Sequence, residues 1–221
     1  MSSNSRYYAN VRSGLLDHVI KKDGSAILEL GCAEGKTGKW LKENGHAAYY
    51  VGLDIHEPSI KIASHDLDEA ICTDLDTFMF SSLGEKRFDF ILCGDVLEHL
   101  RDPWAVLSDL SHVIKEDGTL VITVPNTQHY TVSLALLFKG EWSYKDAGIL
   151  DRTHIRFFTR KTMFELYNSK QYSLVANQAL FWGRRDPFIN KITLGIFENI
   201  LAPQWNLVLK RKSGTVNDYG V

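Results

Sequence analysis

Ala26-Ile-Leu-Glu-Leu-Gly-Cys-Ala-Glu-Gly35 is the stretch on which the fold turns. An apolar run over residues 26–30 breaks into a glycine-containing loop. Residues 36–44 then carry a helical pattern, closed by Gly45 where a left-handed residue ends a helix. Strand, tight turn and helix in that order bring backbone close to a small ligand. Outward from this unit the alternation continues, with strands over residues 48–54 and 70–73 around a short helix at 59–64 that has Pro58 near its start. Residues 88–93 read as a strand apolar on both faces, as a central parallel strand is. Asp102-Pro103 starts a helix whose stripe runs through Val106, Leu107, Leu110, Val113 and Ile114, and Asp117-Gly118 stops it. Residues 119–124 form a fifth strand ending at Pro125-Asn126. Strands alternating with helices imply a parallel sheet with crossover helices.

After Asn126 the alternation fails. Residues 127–158 mix aromatic and charged side chains around one helix, near residues 129–138, and read as a cap inserted after strand five. Thr159 caps a helix through residue 169, residues 172–180 and 205–210 read as closing strands, and residues 188–201 between them as helical. The expected architecture is one α/β domain over residues 1–221, Rossmann-like and doubly wound. Its mostly parallel seven-stranded sheet has helices on both faces, an N-terminal helical segment at 1–25 and the cap at 127–158.

A chain of 221 residues fits one sizeable core, and a net charge of −2 gives no nucleic-acid footprint. The start is polar, with no apolar core of a signal segment, and no apolar stretch approaches the ~18 residues that cross a bilayer. A cytoplasmic protein with no membrane partner is the expectation. Cys32, Cys72 and Cys93 are odd in number and embedded in apolar runs, which suits reduced core thiols rather than disulfides or zinc ligands.

The loop's spelling tests its ligand. A dinucleotide turn has glycine at its first, third and sixth positions, which here are Gly31, Ala33 and Lys36. A lysine cannot give the close helix–strand contact of the sixth glycine, so a nicotinamide-dependent dehydrogenase is a minor alternative. Gly31-Cys-Ala-Glu-Gly-Lys-Thr37 approaches a P-loop, but three residues separate its glycines where four are needed, and Glu34 would repel a polyphosphate. An acid-flanked loop suits a cationic, phosphate-free nucleoside instead.

The run Glu29-Leu-Gly31-Cys32-Ala33-Glu-Gly35 resembles motif I of the class I S-adenosylmethionine-dependent methyltransferases, departing from it at Ala33. The resemblance implies that Asp54, ending strand two, accepts hydrogen bonds from the ribose hydroxyls, with Ile55 lining the adenine. Asp74 would take the adenine amine beside Leu75. Cys93-Gly94-Asp95-Val-Leu-Glu-His99 looks like the family's motif after strand four, with Cys93 backbone and Gly94 at the methionine moiety and Asp95 opening the loop that walls the methyl group. The resemblance implies that His99 closes the cofactor site or packs under the loop, with a base role at the substrate as the lesser reading. Tyr8 and Arg12 would fold over the cofactor, Arg12 pairing with its carboxylate.

Methyl transfer is an in-line displacement that needs positioning and, for a hydroxyl acceptor, a base. The segment Leu150-Asp-Arg-Thr-His-Ile-Arg-Phe-Phe-Thr159 resembles a sub-group of these enzymes associated with bacterial surface-glycan and small-metabolite pathways. It implies an acceptor site with His154 as base and Asp151, Arg152, Arg156 and Tyr144 at the substrate. The same residues would also serve as a structural ion pair and a capped turn. Asp146 and Asp151 alone do not make a metal site. The expected activity is methyl transfer to an oxygen, less readily a nitrogen, of a small molecule, with a sugar among the acceptors. The alternative from another class is a noncatalytic S-adenosylmethionine-binding module.

Overall fold

The computed structural model describes residues 13–20, 22–183 and 185–213, so Tyr8 and Arg12 lie outside the described residues. Helix α1 (Ser13–Val19) precedes β1 (Ser25–Leu30), α2 (Lys36–Glu43), β2 (Ala47–Asp54), α3 (Glu57–Ala63) and β3 (Glu69–Cys72). After these come β4 (Phe88–Gly94), α4 (Pro103–Asp109), β5 (Ile114–Pro125) and α5 (Tyr130–Lys139). The chain closes with α6 (Arg160–Met163), β6 (Tyr172–Leu180), α7 (Arg185–Ile192), α8 (Glu198–Leu201) and β7 (Gln204–Arg211).

The seven strands form one sheet in the order β3-β2-β1-β4-β5-β7-β6, parallel except for β7, which runs antiparallel to both its neighbours. The chain winds outward from β1 to β3, then returns to place β4 on the other side of β1. That reversal opens a crevice beyond the C-terminal ends of β1 and β4, where doubly wound sheets hold their ligands.

Alternating side chains build two core layers. Leu28 and Leu30 of β1 join Ile91, Cys93, Leu120, Ile122 and Trp205 on one face. Ile27, Tyr50, Leu92 and Val121 join Leu15, Leu16 and Val19 of α1 on the other. The described part of the N-terminal segment thus packs on the sheet. Helix α2 approaches the sheet closely at Gly38, where an added Cβ would sit 2.4 Å from Leu67 and 2.7 Å from Tyr50. The close packing that a dinucleotide turn draws from its sixth residue is supplied here two positions later.

Three local expectations need correction. The stripe expected to continue the helix after Asp102 past Val113 instead splits: α4 ends at Asp109, one 3₁₀ turn follows, and β5 begins at Ile114. Ile114 pairs with Phe88 and Thr119 with Phe90, so residues 115–118 bulge outward, with Asp117 at φ 60°. Val113 and Ile114 are buried, but on a strand's entry rather than a helix face. The helix expected from Thr159 to residue 169 is one turn long. Thr159 and Thr162 form a reciprocal capping box, after which Phe164, Glu165 and Leu166 donate three residues back and Asn168 turns the chain. Finally, Cys72 is exposed, because β3 is an edge strand. Cys32 and Cys93 are buried.

The segment after β5 carries its own small core of Val132, Ile149 and Leu150 against Trp142 and Phe157. Trp182, Asn199 and Ala202 reach this segment, contacts that periodicity did not disclose. The side-chain amide of Asn126 donates to the carbonyls of Asn199 (2.8 Å) and Ala202 (2.7 Å).

Candidate active site

The loop after β1 owes its shape to three left-handed residues at alternate positions, Gly31 (φ 71°), Ala33 (φ 47°) and Gly35 (φ 73°). The zigzag turns successive amides toward β2. The amides of Gly31 and Cys32 donate to the carbonyl of Leu53, and that of Ala33 donates to Asp54 Oδ2 at 2.8 Å. Asp54 Oδ1 accepts from the His56 amide at 2.9 Å, so the carboxylate is fixed from both sides. Each oxygen keeps a lone pair for a further donor. Glu29 is buried, and its Oε2 accepts from the Tyr50 hydroxyl at 2.8 Å. It lies beside Cys32 and Ala33 along a shallow cavity of about 270 Å³ on the α2 side of the loop.

The larger cavity of the crevice, about 560 Å³, has Gly31, Asp54, Ile55, Asp74, Leu75 and Asp95 in its walls. Six residues expected at the cofactor therefore meet in one space. Gly35, Cys93 and Gly94 are buried around it, in the helix entry and the end of β4. Asp74 Oδ1 accepts from the Asp76 amide at 3.0 Å, and Asp76 accepts from the Arg101 amide at 2.9 Å. Asp95 takes a left-handed φ of 50° and accepts from Gln204 and from Thr123 Oγ1. Two non-glycine residues held at positive φ, Ala33 and Asp95, thus flank the crevice, the kind of strain that surrounding structure must enforce.

His99, Arg101, Thr153 and Ile155 complete the lining, Arg101 beside Asp76. The turn after β4 and the Asp-Arg-Thr-His segment form one unit. The amides of Ile155 and Arg156 both donate to the Glu98 carbonyl, at 2.9 and 3.0 Å. His99 Nδ1 lies 3.3 Å from the Thr153 carbonyl, an acceptor only, so Nδ1 carries the proton and Nε2 is left as acceptor. Burial, and then the neighbouring His154, push the His99 imidazole below the ordinary histidine range.

His154 is placed differently. It is buried, gives its Nδ1 proton to the Ile149 carbonyl at 3.1 Å, stacks edge-on against His99 at 4.8 Å, and sets Nε2 3.9 Å from the carboxylate of buried Glu98. It stands behind His99 and outside the cavity's lining. Glu98, His99 and His154 bring one ligand atom each within 4.8 Å, wider than the ~3.4 Å edge of a tetrahedral zinc shell with ~2.1 Å bonds.

The remaining polar residues of the segment mainly hold it together. Asp151 Oδ1 accepts from the amide and hydroxyl of Thr153, at 2.8 and 2.6 Å, and these bonds hold its carboxyl below the usual range. Arg152 pairs with Asp146 at 2.7 Å rather than with Asp151. The Arg156 guanidinium donates to the Arg101 carbonyl and sits 5.3 Å from the Trp104 ring centre, clamping the loop before α4. Tyr144 is exposed and leans on Phe157, which meets Trp142 edge-on at 5.1 Å. Sequence reasoning did not single out Thr73, Asp76, Arg101 or Thr153 as lining residues. The Asp-Leu-Asp spacing at 74–76, directly after a strand, was the available signal for Asp76.

Known proteins resemble this chain in sequence and in fold. A ubiquinone biosynthesis O-methyltransferase of Xylella fastidiosa (strain 9a5c) is 30% identical over 147 residues, 59% of this chain and 59% of that protein. The chain thus spans under two thirds of that relative's length. One of Coxiella burnetii (strain Dugway 5J108-111) with the same description is 27% identical over 186 residues, 71% of this chain and 77% of that protein. A crystal structure described as a SAM dependent methyltransferase from Archaeoglobus fulgidus superposes with a TM-score of 0.61 at 19% identity, over 90% of this chain and 92% of that one. Residues 4–177 match the family model described as a methyltransferase domain, and the chain belongs to that family.

Proposed function

We propose that the protein transfers a methyl group from S-adenosylmethionine to an oxygen of a small hydroxylated acceptor. The observation that carries this reading is the single cavity of about 560 Å³ whose lining brings the loop acids and His99 together. Four carboxylates, Asp54, Asp74, Asp76 and Asp95, line it against one guanidinium, Arg101. That charge balance repels a phosphate and suits a sulfonium nucleoside. Asp54 would hold the ribose, Asp74 and Leu75 the adenine end, and Asp95 with Gly31 the end nearest the β1–β4 crevice. When bound, the cofactor supplies an electrophilic methyl group on a positively charged sulfur.

The chain's own residues do the rest. The walls hold the acceptor in line and shed water, which is most of what such a displacement requires. His99 Nε2, left free because Nδ1 donates to Thr153, would take the proton that the acceptor hydroxyl gives up as the methyl group passes to its oxygen and the sulfur keeps the pair of the broken bond. A lowered imidazole pKa keeps His99 neutral, and so a base, at pH 7. His99, not His154, is therefore assigned to the reacting atoms; His154 backs the His99 ring. Oxygen is favoured over nitrogen by the relatives described as O-methyltransferases. For a sugar acceptor, Tyr144 and Trp182 are the exposed faces suited to stacking, because Trp142 and Phe157 pack on one another. Three cysteines, odd in number and widely spaced, favour the reducing cytoplasm as the setting.

Calorimetry with S-adenosylmethionine on the folded protein tests the first half; no binding sinks the proposal. Once an acceptor is in hand, His99→Asn should lower kcat by ~10²-fold or more with cofactor affinity held, and should remove the acidic limb of the pH–rate profile. An intact limb would exclude His99 as the base.

A further inference from the structure

We propose that the cap end of the molecule is a docking face for the surface of an anionic lipid bilayer. Helix α5 reads Tyr-Thr-Val-Ser-Leu-Ala-Leu-Leu-Phe-Lys, yet Val132 alone among its residues is buried. Leu134, Leu136, Leu137 and Phe138 point away from the core in several directions, with Leu137 73% and Phe138 76% exposed. A helix apolar nearly all round is at home in an apolar medium. At ten residues α5 is too short to span a bilayer, which takes ~20, but long enough to lie in its surface.

A second element repeats the pattern. No residue of α7 is buried, and the turn that follows presents Leu194, 89% exposed at a left-handed φ of 52°, and Ile196, 77% exposed. The two elements share one edge of the fold. The pairing of Pro125 with Gln204 and of Gln204 with Leu180 brings the exits of β5 and β6 together, and Trp182 lines the same small cavity as Val132 and Ala135 of α5. So much clustered apolar surface is unusual on a freely soluble monomer.

Charge selects the partner. Residues 130–200 carry ten Lys and Arg against six Asp and Glu, a net of +4, whereas the rest of the chain carries 15 against 21, a net of −6. This segment is drawn to an anionic lipid surface and the body is turned from it. A second copy docked through the same face would set like charge against like. Half-exposed Tyr144 and Trp182 suit the headgroup level. The sequence-based expectation of no membrane partner rested on the lack of a spanning segment, and no described helix is long and apolar enough to cross. Peripheral docking needs neither. Leu137, Phe138 and Leu194 have no part in the proposed reaction, and vesicle binding is read without cofactor.

The test is flotation of the whole protein with vesicles of phosphatidylcholine alone or with about a third phosphatidylglycerol, a composition chosen for its surface potential. Binding to the anionic vesicles is expected, falling about tenfold on pure phosphatidylcholine or in high salt. The Leu137→Ser, Phe138→Ser double variant and Leu194→Ser should each lose about tenfold or more in partition, with unchanged circular dichroism and S-adenosylmethionine affinity. No flotation with any vesicle, or equal flotation of the variants, overturns the proposal. So does a dimer, seen by light scattering, that the double variant dissociates: the face would then belong to a second copy.

Discussion

The two halves of the crevice are built by opposite means. The wall proposed for the cofactor is made of buried strand ends and the loop at residues 31–35 with its alternating left-handed residues, with Asp54 gripped by two amides and α2 pressed onto the sheet at Gly38. The part proposed for the acceptor is short turns stapled through Glu98, Thr153 and Arg101, backed by a three-residue core and ringed by exposed apolar side chains. A wall that binds one fixed ligand tolerates dense packing, whereas a wall that admits an acceptor is carried by loops on that scaffold. The two should therefore differ sharply in what substitutions they bear.

The largest expected effect is at Gly38. A valine there would drive Cβ into Leu67 and into Tyr50, whose hydroxyl holds Glu29, so neither neighbour can retreat freely. Gly38→Val should cost ~3 kcal/mol or more, at the top of the overpacking range, and weaken cofactor binding with it. In the cap, exposed Ala147→Val should stay within ~0.5 kcal/mol. Urea unfolding of both measures the contrast; similar losses at the two sites would erase it.

The same asymmetry governs what the sequence disclosed. Motif I, Asp54, Asp74 and Asp95 sit at strand ends that periodicity locates, and contiguous residues form the loop, so their convergence was legible. The acceptor wall joins Glu98-His99 to Thr153-Ile155, and the cap joins α5 to residues 181–203; these contacts are fixed by strand pairing across the sheet, which no local pattern encodes. The resemblance put His154 first as the base, and the proposed order is reversed because His99 is in the lining and His154 lies behind it. Likewise a stripe at helical spacing through Val113 and Ile114 satisfied burial equally well as a bulged strand entry. The apolar surface escaped notice because hydropathy read along the chain does not report exposure.

The next effect concerns the scaffold's far edge, away from the crevice. Asp89 is mostly buried, which alone would raise its carboxyl, but Lys115, Lys22 and the Ala26 amide donate to it and outweigh burial, holding it at about 2. Its folded pKa is below the unfolded value of 3.8, so its contribution is complete above that value and fades as pH falls through 3.8 toward about 2. The difference corresponds to about 2 kcal/mol. Asp89→Asn should lose roughly that much at pH 7 and flatten the acid limb of stability between pH 4 and 2, read from urea midpoints. An unchanged limb would mean that other carboxylates control acid unfolding.

The smallest effect sharpens the comparison most, because it tests whether the cofactor wall is optimised for stability at all. Ala33 sits exposed at φ 47° between two glycines at φ 71° and 73°. A left-handed alanine costs ~1–2 kcal/mol in backbone strain. Ala33→Gly relieves that strain but frees the unfolded chain, which takes back ~0.4–1 kcal/mol. The net gain should be under ~1 kcal/mol, a small rise in thermal midpoint. Its consequence for binding runs the other way. The Ala33 amide donates to Asp54 Oδ2, and the methyl group restricts the backbone that aims it. A glycine lets that amide wander, so cofactor affinity should fall slightly as stability rises. If both rise together, the strain at Ala33 has no part in shaping the site.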